Sequence, residues 1–296
     1  MTETVVQSHE SDRGRALLVL LLGACVIGVG PILVRLSDVG PVMAGFWRLT
    51  FALPLLALLT RRAEGAISGF APIALLTGLA FALDLGFWHY GIAFTSVAKA
   101  TVLSNLTPVV VTAVAWVVLK QKPSPLFLVA VALAVAGAWI MAMARDAGFA
   151  GKSPLLGDIL STATAFWYAL YFLGVSSARR TMGASRLMFW SSLTGAPILL
   201  LAGLGLHEQL IPASLTGWAA CIGLGVMHVA GQGSIAWALG RLPAATASVT
   251  VLVQPVVAAL LGWSIFGEVF GPMQALGGAI ALCGVVLAQW SARPKA

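Results

Sequence analysis

Charged residues are scarce in this chain. Asp, Glu, Lys and Arg make up 9% of its 296 residues, and only 10 residues are acidic. A soluble domain carries about 25% charged residues, so this chain lacks the polar groups that would cover its surface in water. The hydrophobic fraction is 59%, with a mean hydropathy of +0.97. This composition excludes an ordinary soluble protein and predicts lipid surroundings.

Cysteines and cofactor motifs are few as well. The three cysteines all fall inside apolar runs, so we expect neither a disulfide nor a metal site. The sequence has no phosphate-binding glycine loop, which disfavours an ATP-driven pump, and we expect no cofactor. The connections between the apolar runs are too short to fold as a soluble domain. No cleavable signal peptide is evident.

Ten long apolar runs follow one another along the chain. A hydrocarbon core of about 30 Å needs about 20 apolar residues in an α-helix, and each run has close to this length. The sequence therefore predicts an all-α integral membrane protein with ten transmembrane helices, which we number as spans 1 to 10. They are Ala16–Leu36, Val42–Thr60, Pro72–Ala93, Val97–Leu119, Leu126–Ala144, Leu156–Ala178, Leu187–Leu206, Trp218–Leu239, Ala244–Phe266 and Met273–Trp290.

Basic residues are distributed unevenly between the connections of these spans. If the amino terminus is cytoplasmic, twelve Lys and Arg residues fall on the cytoplasmic side and four on the other, with Arg48 inside span 2 left out. Cytoplasmic connections are enriched in Lys and Arg, so we expect both termini in the cytoplasm. The net charge of +7 then reflects topology, and no nucleic acid is expected as a partner.

The second half of the sequence repeats the first. Residues 245–263 share seven identities with residues 98–116 at one constant offset, and the pair Phe46-Trp47 is echoed by Phe189-Trp190. Each copy holds five spans, and an odd number of spans forces the second copy to enter the membrane from the opposite side. We therefore expect two inverted five-helix repeats, as in many secondary transporters, with the substrate bound where the repeats meet.

The expected division of the chain follows from these repeats. It comprises a cytoplasmic tail at 1–15, taken as disordered, a first repeat at 16–145, a periplasmic linker at 146–155, a second repeat at 156–290 and a cytoplasmic tail at 291–296.

These features resemble a known family. Ten spans in two repeats, Pro108 in span 4 with Pro255 in span 9, and Gly267-Glu268 after span 9 are similar to the drug/metabolite transporter superfamily, in particular its EamA-type exporters. The run at 165–168 resembles the amino-acid exporters called YddG. The resemblance implies export of aromatic and other neutral amino acids, or similar small metabolites, across the bacterial inner membrane. It also implies alternating access through a central cavity in a monomer, with a dimer left open.

Polar residues in the middle of the spans are the candidates for a substrate site. Unpaired polar groups are costly in lipid and therefore face a cavity or each other. A zwitterionic solute requires acceptors for its ammonium group, donors for its carboxylate and a surface for its side chain. The candidates are Asp84, Trp88, His89, Thr101, Asn105, Thr107, Trp167, Tyr168, Tyr171, His228, Gln232, Thr250 and Gln254.

Pro108 and Pro255 are the expected helix-bending residues. Each lacks an N–H and leaves the carbonyl four residues earlier without its helical partner. A spacing of four residues places two polar pairs near these prolines on a common helical face. The pairs are Thr101 with Asn105, and Thr250 with Gln254. Their side chains either present polar groups to a substrate or satisfy the freed backbone, and the sequence leaves both interpretations open.

Asp84 is the only carboxylate that the sequence places deep in a span. It binds an ammonium group or accepts a proton during coupling, or it pairs with Arg48 and only fixes packing. His89 lies about 140° further around the helix, so the two residues do not form an obvious dyad.

His228 and Gln232 share a face of span 8 and are expected on the cavity wall of the second repeat, although a lone buried histidine is more often structural. The aromatic candidates either stack on a planar side chain or belong to the interfacial belts.

Other functions stay open on the sequence alone. An intramembrane enzyme is disfavoured, because His207-Glu208 lacks the second histidine of a zinc-protease motif. A sensor or scaffold would carry a soluble domain. A different metabolite or a drug-like cation remains an alternative substrate. We therefore expect a transporter and no enzyme, which binds a small-molecule substrate inside a lipid bilayer.

Overall fold

The computed structural model describes residues 2–67, 69–95, 100, 103–144, 153–266 and 271–292. Over these ranges the chain is helical, and no strand occurs within them. Nine described helices are long and apolar enough to cross a membrane, and the shorter apolar helix Thr107–Val117 belongs to span 4. The prediction of an all-α membrane protein is confirmed. Several residues singled out by the sequence lie outside the described ranges: Thr101, Gly267, Glu268 and most of the predicted linker.

Proline marks the start of many helices. It is tolerated in the first turn, where its missing N–H has no helical partner to lose, and spans 2, 3, 5, 6 and 10 all begin this way. The helices are Thr2–Ile27 and Gly30–Leu36 in span 1, Pro41–Glu64 in span 2, Pro72–Phe94 in span 3, Thr107–Val117 in span 4, Pro125–Met143 in span 5, Pro154–Ala178 in span 6, Ala184–Gly205 in span 7, Leu215–Met227, His228–Gln232 and Gly233–Leu239 in span 8, Ala244–Thr250 and Val253–Phe266 in span 9, and Pro272–Ser291 in span 10.

The amino-terminal segment differs from the prediction. Residues 1–15 are expected to be disordered, but the first helix begins at Thr2 and continues to Ile27. Proline is the residue that most strongly interrupts a helix, and none occurs in this segment. Hydrophobicity detects only the part of a helix that lies in lipid. The prediction of disorder is wrong because this helix extends beyond its apolar part.

The packing of the spans has the symmetry that the repeat predicts. Span 2 packs on span 7, span 4 on span 9 and span 5 on span 10, so each of these spans contacts its own counterpart. Span 3 packs on span 6 and span 8 packs on span 1, and the contact of span 3 with span 7 is matched by that of span 8 with span 2. The same contacts result when every span is exchanged for its counterpart, as expected of two related halves.

The first part of span 1 and the end of span 10 lie on one side of the bundle, which we call the terminal side. Arg13 Nη2 donates to the carbonyl of Gln289 at 3.4 Å, and Asp12 lies 3.9 Å from Arg241 after span 8. The connection after span 1 lies on the opposite side, where the Gly40 N–H donates to the carbonyl of Gln209 after span 7. Spans therefore alternate in direction, and which side faces the cytoplasm stays a prediction.

Two carboxylates clamp the ends of spans 2 and 7. On the opposite side, Glu208 accepts hydrogen bonds from the backbone N–H groups of Val42 and Met43, at 3.3 and 3.0 Å, and from the hydroxyl of Tyr90. A carboxylate is favoured at a helix N-terminus, where backbone N–H groups are unpaired. Glu208 thus joins the connection after span 7 to the start of span 2 and to the end of span 3.

A related clamp lies on the terminal side. Glu64, at the end of span 2, pairs with Arg186 in the first turn of span 7 at 3.1 Å. The echoed tryptophans take part in the same way: Trp47 Nε1 donates to the carbonyl of Leu210, and Trp190 Nε1 to that of Ile67. The repeat seen in the sequence is therefore a repeat of tertiary contacts, which fix spans 2 and 7 to each other at both ends.

Large apolar side chains cover the outside of the bundle. Leu201 is 70% exposed and Leu215 is 89% exposed, and exposed leucines and valines occur along most spans. A monomeric soluble protein rarely exposes contiguous apolar patches larger than a few hundred Å². The protein is therefore a multi-pass membrane protein.

Candidate functional site

Spans 4 and 9 are each interrupted shortly before their proline. The helix of span 4 restarts at Thr107 and that of span 9 at Val253, after turns at residues 105–106 and 251–252. The Thr107 hydroxyl donates to the carbonyl of Ser104 at 2.9 Å, which is the carbonyl that Pro108 leaves without a helical partner. Thr107 thus pairs with the carbonyl freed by Pro108, which favours a structural role for its side chain over substrate binding.

Thr250 also has a structural role. Its hydroxyl donates to the carbonyl of Thr246 at 2.9 Å and accepts a hydrogen bond from Gln289 of span 10. The turn at 251–252 separates it from Gln254, so the four-residue spacing does not place the two on one continuous helix. Thr101, the partner expected for Asn105, lies outside the described residues.

Span 8 contains a wide turn, a short π-helix at His228–Gln232, in which backbone hydrogen bonds join residues five apart and not four. Such turns in α-helices are frequent at functional sites. His228 is 1% exposed, and both of its ring nitrogens have partners. Nδ1 accepts from Arg48 Nε at 3.3 Å, so the proton lies on Nε2, which donates to Ser192 Oγ at 3.2 Å. His228 is therefore a satisfied structural residue that positions Arg48.

A column of aromatic rings runs from span 3 to span 6 beside His228. Phe81 lies 5.3 Å from the His228 ring and 4.7 Å from the Tyr171 ring, and Tyr171 stacks on Tyr168 at 5.9 Å. The Tyr171 hydroxyl donates to the sulfur of Met188 at 3.4 Å. Ring pairs at these distances contribute about 0.5–1.5 kcal/mol each, so the column is a rigid wall. Tyr168 is its half-buried member and Tyr171 is 1% exposed.

Four of the predicted residues carry buried polar atoms without a hydrogen-bond partner. They are Nδ1 of His89, Nδ2 of Asn105, Nε2 of Gln232 and Nε2 of Gln254, on spans 3, 4, 8 and 9. The Tyr168 hydroxyl lies near both glutamine amides without forming a hydrogen bond of normal length and angle to either, which places span 6 at the same centre. Buried polar groups are nearly always paired in folded proteins. Unpaired amide donors that converge from both halves indicate a site for a ligand with hydrogen-bond acceptors.

Asp84 and Arg48 lie at the same centre. Each interacts electrostatically with the other and with Tyr168. The two residues nevertheless form no ion pair within 4 Å, and the Asp84 carboxylate makes no hydrogen bond among the described residues. Asp84 is 8% exposed. The direct pair that would only fix packing is not formed in this conformation.

Trp88 and Trp167 stand further from this cluster. The Trp88 ring contacts the ring of His89, its neighbour in the chain, at 5.0 Å, and Trp167 contacts Phe87 edge-on at 6.2 Å. Both are half-buried. They extend the aromatic surface along spans 3 and 6.

Arg48, Ser192 and Phe81 are missing from the sequence candidates. For Arg48 a signal existed, because a cation within a membrane span is by default a functional hypothesis. Ser192 and Phe81 carry no such signal in an apolar helix.

The innermost residues are sealed in this conformation. His228, Gln232 and Tyr171 are each 1% exposed, whereas Asn105 and Gln254 are half-buried. Two grooves lie on the outer surface. One is on span 10 beside Cys283 and Trp290, and the other lies between spans 4 and 6 beside Leu103 and Phe166. The innermost side chains of the central cluster are thus shielded, while Asn105 and Gln254 at its edge keep partial exposure.

Comparison with known proteins agrees with this architecture. The sequence model of the EamA-like transporter family matches residues 14–143 and again residues 155–290. An uncharacterized transporter of Archaeoglobus fulgidus is 25% identical over 274 residues, which are 91% of this chain and 94% of that one. The uncharacterized transporter YwfM of Bacillus subtilis is 26% identical over 233 residues, 76% of this chain and 74% of its own. A protein of known crystal structure with 15% identity shares the fold, with a TM-score of 0.79 over 96% of this chain and all of the other.

Proposed function

This chain belongs to the EamA-like transporter family, and we propose that it exports neutral amino acids, aromatic ones among them, or similar small zwitterionic metabolites. The observation that carries the proposal is the set of unpaired polar atoms at the centre of the bundle. Such atoms are costly inside a membrane protein unless a ligand uses them. The amide groups of Asn105, Gln232 and Gln254 supply donors for a carboxylate, and the column of Phe81, Tyr171 and Tyr168 supplies a surface for a side chain.

The proposed transport cycle is alternating access. The unpaired amides come from spans 4, 8 and 9, so a substrate would contact both repeats at once. The interruptions in spans 4 and 9 provide hinges beside this site, because a few residues at the ends of helical pieces can absorb large changes of backbone angle.

The proposed direction is from the cytoplasm outward across a bacterial inner membrane. We assign the terminal side to the cytoplasm because basic residues cluster there. Arg61 and Arg62 lie in the last turn of span 2, and Arg179, Arg180 and Arg241 follow spans 6 and 8, all of which end on that side.

The topology predicts opposite labelling of two exposed positions. In a variant without native cysteines, Gln209→Cys on the opposite side is expected to react in intact cells with a maleimide that cannot cross membranes. Arg62→Cys on the terminal side is expected to react only after the cells are opened. Both positions are exposed, so access to reagent is their only difference. The reverse labelling would show that the terminal side faces outward and not the cytoplasm. Equal labelling would contradict the placement of these two connections on opposite sides.

Transport by the purified protein in liposomes tests the proposed function. A panel of the twenty amino acids, each competing with one labelled solute, is expected to show carriage of neutral amino acids. Gln254→Ala is expected to lower uptake about tenfold, since it removes one donor to a charged group, and Trp167→Ala is expected to lower it for aromatic solutes. The matched controls are Gln209→Ala and Trp290→Ala, whose side chains are exposed. If both Gln254→Ala and Trp167→Ala transport like the wild type, the site is assigned wrongly.

A further inference from the structure

Arg48 is held in place inside the helix bundle by two contacts. Its Nε donates to His228, and its guanidinium lies over the ring of Phe81 at 5.2 Å. Among the described residues no hydrogen-bond acceptor is found for its two terminal nitrogens, and the side chain is half-buried. These nitrogens form the fork that matches a carboxylate. Arg48 is thus a fixed cation whose carboxylate-binding edge is free.

Asp84 lies one helical turn from the ring that supports this guanidinium. Residues three apart on a helix are neighbours, with about 5–6 Å between their Cβ atoms, so Phe81 sets the position of Arg48 relative to Asp84. The hydrogen bond from Arg48 to His228 keeps the guanidinium from closing onto the carboxylate. The centre therefore holds a guanidinium group and a carboxyl group that lie close enough to interact electrostatically but do not make direct contact.

Ionising both groups in this arrangement is costly when no ligand is bound. An ion inside a low-dielectric site is stabilised only when a partner and hydrogen bonds compensate it. A cation would compensate Asp84 and be repelled by Arg48, and an anion would do the reverse. A solute with both an ammonium group and a carboxylate compensates both residues at once, and its own charges sum to zero.

We propose that Arg48 binds the carboxylate of the substrate while Asp84 binds its ammonium group, so that the site selects zwitterions. This inference rests on the proposed function, which it makes more specific. Gln232 and Gln254, which interact with Tyr168 beside both charges, complete the donors around the carboxylate. Amines that lack a carboxylate and acids that lack an amine are then poor substrates, whatever their side chain.

Competition in proteoliposomes tests this selection. The labelled probe is L-phenylalanine, and the competitors are unlabelled L-phenylalanine, L-phenylalaninamide and 3-phenylpropionate, which share one side chain. The pH is chosen so that the amide is cationic and the acid anionic. The amide and the acid are each expected to compete at least about tenfold more weakly than the amino acid, as the loss of a hydrogen bond to a charged group implies.

Two variants assign the charges to their residues. Arg48→Gln is expected to abolish the preference for phenylalanine over its amide while keeping the preference over 3-phenylpropionate, and Asp84→Asn is expected to do the opposite. Arg61→Gln, on the same span and exposed, is the matched control and keeps both preferences. If Arg48→Gln does not fold, Arg48→Lys is expected to keep the order of the competitors with weaker affinity, because it keeps the charge and loses the fork.

The outcomes separate this inference from the proposed function. Wild-type liposomes that carry none of the twenty amino acids overturn both. Wild-type liposomes that carry phenylalanine but are inhibited equally by its amide overturn the inference alone, as does a folded Arg48→Gln protein with unchanged preferences. If another amino acid is carried in place of phenylalanine, the same comparison is made with that amino acid, its amide and its deaminated acid.

Discussion

Gly137→Val is expected to destabilise the protein by about 3 kcal/mol, the upper part of the range for overpacking a tight contact. A carbon added at Gly137 would collide with the backbone nitrogen of Ala281 in span 10. The contact is reciprocal, because a carbon added at Gly284 would collide with the backbone of Ala134 in span 5. Because backbone atoms cannot move away by changing rotamer, as a flexible side chain can, spans 5 and 10 must separate to accommodate the added atoms. Small residues allow such close approach between membrane helices.

The measurement is thermal unfolding of the purified variants in one detergent. Gly205→Val, at the end of span 7, is the matched control, since an added carbon there meets no atom within 4 Å. It is expected to change the free energy of unfolding by less than about 0.5 kcal/mol. Gly284→Val is expected to equal Gly137→Val, because the two positions are counterparts in the repeat. Equal stability of Gly137→Val and Gly205→Val would contradict the close crossing of spans 5 and 10.

Glu208→Ala is expected to lower the free energy of unfolding by about 3 kcal/mol, at about 1 kcal/mol for each of three donors that lose their acceptor. The donors are the N–H groups of Val42 and Met43 and the hydroxyl of Tyr90. Tyr90 joins the end of span 3 to Glu208. Loss of this contact is therefore also expected to make span 3 near Trp88 more accessible to reagents from the opposite side. Thermal unfolding gives the first effect, and maleimide labelling of Trp88→Cys gives the second.

Two variants separate the carboxylate from its surroundings. Tyr90→Phe removes one of the three hydrogen bonds and is expected to cost about a third as much as Glu208→Ala. Gln209→Ala alters the next side chain, which is exposed, and is expected to change stability by less than about 0.5 kcal/mol. A Glu208→Ala protein as stable as Gln209→Ala would show that the clamp contributes nothing.

Membrane-spanning helices are predictable from the sequence because lipid imposes a uniform requirement on length and polarity. Thus nine of the apolar runs coincide with long described helices, even where span 8 contains a wide turn, and the described part of span 4 includes the shorter helix Thr107–Val117. This requirement applies only inside the membrane, so the sequence does not predict the polar first part of the helix that begins at Thr2. It also says nothing about the turns in spans 4 and 9, although Pro108 and Pro255 indicate where to look for them.

The candidate site was predictable only in part. A rule that treats mid-span polar residues as candidates selects Asp84, Gln232 and Gln254, which meet at the centre. The same rule selects Thr107 and Thr250, whose hydroxyls pair with nearby backbone, and sequence spacing alone does not distinguish the two kinds of residue. The distinction depends on which neighbouring groups pack against each side chain.

The clamps are the part that no local pattern indicates. Glu208 lies in a short connection far along the chain from Val42 and Met43, and only the antiparallel packing of spans 2 and 7 brings them together. In the sequence, only the tryptophan that is repeated between the two halves indicates these contacts between spans 2 and 7. The structure explains this repeat, because the indoles of Trp47 and Trp190 donate hydrogen bonds to the connections after span 7 and after span 2, respectively.

The wide turn at His228–Gln232 makes the halves unequal. It inserts one residue beyond a regular helix, and one residue corresponds to about 100° of rotation, while the matching part of span 3 runs as one uninterrupted helix. A protein of two identical halves would spend equal time open to either side in the absence of a gradient. In the proposed cycle the two end states are therefore not related by symmetry, so we expect their free energies to differ and one of them to be more populated in the absence of a gradient.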